Sequence, residues 1–138
     1  MQTLIQGFVG DGRHCLQYTA VVTEAGLTVT LTGGERSHVG AVAVAAPRPS
    51  LSDPAQVSAS VSVITLLGHH DDELARPLGR LLAAESGQPA AVSVGIHWDE
   101  ATAADIDASR RLAMEAGRAI LAQLPSGANA ARLRESGR

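Results

Sequence analysis

The sequence predicts an α+β domain: a mostly antiparallel sheet of about five or six strands with two helices packed on it. Three observations carry that expectation. Short runs of β-formers crowd the first half, two later segments space their apolar residues as helices do, and a further strand-like run separates those two segments. At 138 residues the chain suits one domain with a real core.

Residues 14–23 (HCLQYTAVVT) are rich in β-formers, and residues 28–32 alternate, with Leu27, Val29 and Leu31 on one face and threonines on the other. Glu24, Ala25 and Gly26 join them as a short hairpin connection. Residues 39–46 (VGAVAVAA) form a strand of small side chains ended by Pro47 and Pro49, and residues 48–58 read as a surface loop. Residues 60–67 (SVSVITLL) alternate and then become continuously apolar, as a central strand can.

Residues 71–84 read as a helix. Asp71, Asp72 and Glu73 favour its N-terminus, and Leu74, Leu78, Leu81 and Leu82 share a stripe. Pro77 is tolerated in a first turn but kinks a helix deeper in. Residues 90–96 make a further strand. The last helix begins at Thr102, spaced from Asp105 as in a capping box, with Ile106, Ala113, Gly117, Ile120, Leu121 and Leu124 as its apolar face. The domain is therefore expected over residues 1–125, with 126–138 as a flexible tail.

Composition narrows the function classes. Aromatic residues make up 2%, so the core must be aliphatic. A net charge of -3 gives no basic footprint for nucleic acid. The single Cys15 cannot form an internal disulfide, so a cytoplasmic setting is expected. No run of 18 apolar residues predicts a membrane span.

Function must be sought where histidine follows glycine at a strand end: TGGERSHVG (32–40), GHHDDE (68–73) and GIHWDE (95–100). In the first, Gly33 and Gly34 allow close backbone approach, and exposed N–H groups with Ser37 and His38 could hold a phosphate. A hairpin turn with a solvated histidine is the plain alternative. Arg36 could add a charge-assisted contact, or be solvated. In the second, His69 or His70 could face a cleft, oriented by Asp71; an acidic helix start with ion pairs explains the same residues. In the third, Trp98 beside His97 offers a flat face to a ring-shaped ligand, or fills the core. His38, His70 and His97 could together bind zinc, although no HxxxH or HExxH spacing supports a metal, and no nucleophile elbow is present.

At these residues the sequence resembles the prenylated-flavin chaperone LpdD-like family, associated with UbiD-like decarboxylases. The resemblance runs through TGGERSHVGAVAVA, GHHDDELARPLGRLLA and GIHWDEATAADI, over residues 16–124. It implies binding of prenylated FMN (or FMN) made by a UbiX-like flavin prenyltransferase, delivery to a UbiD-like enzyme, a homodimer, and a fold similar to proteasome-assembly chaperones. By position it implies Gly33, Gly34, Ser37, His38 and Gly40, then His70 with Asp71, then His97, as cofactor-side residues. No catalytic residue is implied. The alternatives are a metal-dependent hydrolase or decarboxylase subunit using the three histidines, and an assembly chaperone that sees no cofactor.

Overall fold

The computed structural model describes residues 2–66 and 70–125. Six strands form one sheet: β1 (Thr3–Asp11), β2 (His14–Thr23), β3 (Gly26–Gly34), β4 (Arg36–Pro49), β5 (Val57–Thr65) and β6 (Ala90–His97), in the order β1-β2-β3-β6-β4-β5. Every pairing is antiparallel except β3 with β6. Helices α1 (Asp72–Ser86) and α2 (Ala103–Ala122) cover one face, α1 over β4, β5 and β6, and α2 over β1 and β2.

The core is aliphatic, as the composition required. Leu78, Leu82, Leu112 and Ile120 from the helices are fully buried against Leu31, Val29, Val92 and Val94 from the sheet. Ala41, Ala43 and Ala45 line the helix side of β4, and their small side chains let α1 approach closely at Gly79. On the other face the threonines of β3 are joined by exposed Leu4, Phe8, Val44 and Ile64. Among the described residues, no helix covers that face.

Four expectations change. Strand β1 was not anticipated, because its helix-facing row of Ile5, Gly7 and Val9 lacks an apolar side chain in the middle. Tyr18 of β2 fills that gap: a Cβ at Gly7 would meet its hydroxyl. The loop expected over residues 48–58 shrinks, because β4 continues through Pro47 and Pro49 in register with Ala59 and Val57. Pairing of β4 with β6 ends at Ala45, so beyond it one side of β4 needs no N–H donor. Strand β5 is an edge strand rather than a central one, which leaves Ile64 74% exposed. Finally, Ile106 is exposed instead of sitting in the core face of α2.

Helix α1 runs on past Pro77 to Ser86. The capping box of α2 forms as read: Thr102 accepts from the Asp105 N–H, and the Asp105 carboxylate accepts from the Thr102 N–H. The expected tail, residues 126–138, lies outside the described residues.

Candidate functional site

The two glycines after β3 serve a crossing. Strands β3 and β4 are consecutive but not neighbours; β6 lies between them. The chain must therefore pass over the end of β6, a distance of two strand spacings, roughly 9–10 Å. It does so around His97, which pairs with Gly34 on one side and Arg36 on the other. Gly34 has a φ of 73°, and a Cβ there would strike the His97 carbonyl oxygen. That oxygen accepts the Glu35 N–H at 2.7 Å. The turn thus fixes the backbone of His97.

Beyond the crossing β4 bulges. Ser37 pairs with Ile96 and Ala41 with Val94, so His38, Val39 and Gly40 stand opposite Gly95. Side-chain-free Gly95 admits the His38 carbonyl, and Gly40 admits the carboxylate of Asp71. Asp71 precedes α1 but does not cap it with its side chain. Instead its buried carboxylate turns to the sheet: Oδ1 accepts the Ile96 N–H at 3.1 Å, and Oδ2 lies 3.2 Å from His38 Nε2. His38 Nδ1 is 3.3 Å from the Arg36 carbonyl, and the His38 and His97 rings meet edge-on with centroids 6.4 Å apart. His97 Nε2 in turn lies 2.8 Å from Asp99 Oδ1. The Asp99 carboxyl is held below the usual carboxylate range by hydrogen bonding first to Glu35 and then to His97.

A second polar group adjoins the first. Arg13 donates to both oxygens of Asp105, each at 3.1 Å, and to Glu35 at 2.7 Å. Its guanidinium lies 5.3 Å from the centre of the Trp98 ring. His14 Nε2 is 2.6 Å from Asp105 Oδ1, and its ring stands edge-on to Trp98. The indole N–H of Trp98 is donated to Ser109 Oγ at 3.0 Å. Arg13, then the Thr102 N–H and His14 hold the Asp105 carboxyl well below the usual range, and Asp105 raises the Arg13 guanidinium further. The β1–β2 hairpin, the crossing turn and the start of α2 are tied together here.

Between α1, α2 and the end of β6 lies a cleft of about 560 Å³. Leu74, Ile96, Trp98, Ala101 and Ile106 supply its apolar lining, while His70, Asp71, Glu73, His97, Ser109 and Arg110 supply polar groups. Arg110 Nη2 donates to Glu73 Oε2 at 3.0 Å across the gap between the helices. Among the described residues, no group of three or more His, Cys, Asp or Glu side chains is placed to hold a metal ion. None of the described helices is long and apolar enough to cross a membrane.

A family model described as the prenylated flavin chaperone LpdD-like domain matches residues 10–125. The chain belongs to this family. No curated protein matches the sequence. Among solved structures, the LpdD-like domain is similar to a chain in the crystal structure of a novel chaperone complex for yeast 20S proteasome assembly. The TM-score is 0.59 at 14% identity, covering 88% of this chain and 95% of that one. At that identity the likeness concerns the fold, which is the one expected.

The LpdD-like domain brings His38, Asp71 and His97 together, with His70 and Trp98 on the cleft wall and Gly40 behind Asp71. Gly33 and Gly34 belong to the crossing rather than to the cleft lining, and Arg36 and Ser37 are exposed beside it. His69 lies outside the described residues. Sequence reasoning missed Arg13, His14, Asp105, Ser109 and Arg110. One signal was available: Gly12-Arg13-His14 repeats the glycine-to-histidine spacing of Gly95-Ile96-His97.

Proposed function

We propose that this chain is a non-catalytic carrier of prenylated FMN. It receives the cofactor from a UbiX-like flavin prenyltransferase and delivers it to a UbiD-like decarboxylase, acting in the cytoplasm as a homodimer. The observation that carries this reading is the contact of His38 with Asp71 and His97, the latter two lining one cleft, in a chain of the prenylated flavin chaperone family.

The residues present fit such a ligand. A cleft of about 560 Å³ lies within the roughly 300–1,000 Å³ range of small-molecule sites. Its apolar lining suits a ring system, and its polar groups suit hydrogen-bonding edges and a charged end. Leu74, Ile96 and Ile106 would cover the ring and exclude water, with Trp98 at their side. His70 and His97 would meet polar edges. The His38–Asp71 pair would hold the end of β6 in place, Gly33, Gly34 and Gly40 would set its backbone, and Arg36 and Ser37 would stand beside it.

Prenylated FMN supplies its chemistry in the enzyme that receives it, so the carrier needs no reacting group of its own. It needs moderate affinity and a way out, which an open cleft provides. The apolar residues exposed on the uncovered sheet face, Leu4, Phe8, Val44 and Ile64, favour a second copy packing there.

The test pairs His38→Ala and His97→Ala with titration by reduced prenylated FMN and a maturation assay of the apo-decarboxylase. Both variants should keep the wild-type circular dichroism, bind the cofactor about tenfold more weakly, and mature the partner more slowly. Wild-type behaviour of both variants in both assays would sink the histidine site.

A further inference from the structure

We infer that Arg110 is the phosphate-binding residue of the cleft and that Glu73 is its exchangeable counter-ion. This rests on the reading of the cleft as a flavin-phosphate site and assigns that site's charged end.

A phosphate monoester carries about -1.5 to -2 charges at neutral pH. Asp71 and Glu73 would repel it from the cleft, and among the described lining residues Arg110 is the one permanent cation. The glycine turn after β3 does not serve instead, because its Glu35 N–H is committed to the His97 carbonyl. Arg13 does not serve either: its guanidinium is divided between Asp105 and Glu35. Arg110 is differently placed. A single hydrogen bond joins it to Glu73, between side chains that are 56% and 54% exposed. An exposed pair of this kind contributes little stability. Among the described residues it leaves most of the guanidinium's donors available, in the fork that matches phosphate oxygens.

Position supports the assignment. Arg110 follows Ile106 by four residues on α2, so the two neighbour each other along one side of the helix. Both line the cleft, as does Ser109, which holds the Trp98 indole. A ligand whose flat body lies against Ile106 and Ile96 can therefore place a charged end at Arg110. Glu73 keeps the arginine extended over the cleft until the phosphate replaces it.

Trp98 is the sole tryptophan of the chain and lines the cleft, so its fluorescence reports occupancy directly. The probes are reduced prenylated FMN and the same compound after phosphatase treatment, titrated anaerobically. Wild type should bind the phosphorylated form about ten- to hundredfold more tightly. Arg110→Gln should abolish that preference by weakening the phosphorylated form, with the dephosphorylated form unchanged. Glu73→Gln should leave the phosphorylated form unchanged or tighten it up to about fivefold. A full preference surviving in Arg110→Gln would overturn the assignment while leaving the flavin reading intact. Equal weakening of both forms in Glu73→Gln would show a structural pair and overturn it likewise. No quenching of wild type by either form would end both.

Discussion

Two polar clusters flank the end of β6, and they use their charges differently. Around Asp105, a bidentate arginine, a histidine at 2.6 Å and the Thr102 N–H converge on one nearly inaccessible carboxylate. Around Asp71, the contacts with His38 are longer, at 3.2 Å, and the His38 and His97 side chains remain 18% and 37% exposed. The first cluster is spent on itself and acts as a clasp between hairpin, turn and helix. The second holds a strand end but still presents ring edges outward. Density of charge alone therefore does not mark a binding site, and the proposed site lies beside the cluster whose histidine–carboxylate contacts are the longer.

The comparison is broken most severely at the bulge that creates the second cluster. Gly95→Ala would drive a Cβ into the His38 carbonyl oxygen. The atom it meets is backbone and cannot swing aside as a side-chain tip can, so the expected loss is about 3 kcal/mol, measured by urea unfolding. A loss under about 0.5 kcal/mol would mean that the bulge relaxes freely.

The clasp comes next. Asp105→Ala should lower stability by more than Thr102→Ala, which removes the helix cap and costs about 1 kcal/mol. Asp105→Asn tests the charge by pH. The folded carboxyl titrates below its unfolded value, which lies near 3.9. Its contribution is thus fully present above that value and is lost as pH falls through the folded one. The stability gap between wild type and Asp105→Asn should stay level from about pH 8 to 5 and close as pH drops below about 4. A gap independent of pH would mean that shape, not charge, holds the clasp.

How far the sequence reveals these clusters depends on how local each part is. The capping box of Thr102 and Asp105, the alternation of Leu27, Val29 and Leu31, and the leucine stripe of α1 are local patterns, and they appear where expected. The two histidines that meet, His38 and His97, were legible as histidines following a strand-end glycine, four residues after Gly34 and two after Gly95. The purpose of Gly34 was not. It follows from β6 inserting between β3 and β4, and β6 begins more than fifty residues later. The clasp was hidden for the same reason, since Arg13 and Asp105 are 92 residues apart in the chain. Strand β1 was hidden by Gly7, whose missing side chain is replaced from across the sheet by Tyr18.

The smallest effect on stability is expected at Ile106, and there it separates folding from binding most cleanly. A helical isoleucine in an apolar stripe normally belongs to the core, yet this one is 44% exposed at the cleft while Ala113 and Ile120 of the same stripe are buried. Ile106→Ser therefore removes little packing. The unfolding midpoint should correspond to a change within about 0.5 kcal/mol of wild type. Removing an apolar contact from the cleft wall should nevertheless weaken reduced prenylated FMN by about fivefold or more, by loss of roughly 1 kcal/mol of burial. The phosphorylated and dephosphorylated forms should weaken equally, because in the proposed pose the side chain meets the ring and not the charge. A variant that loses stability but binds as wild type would return Ile106 to the core and move the ring elsewhere.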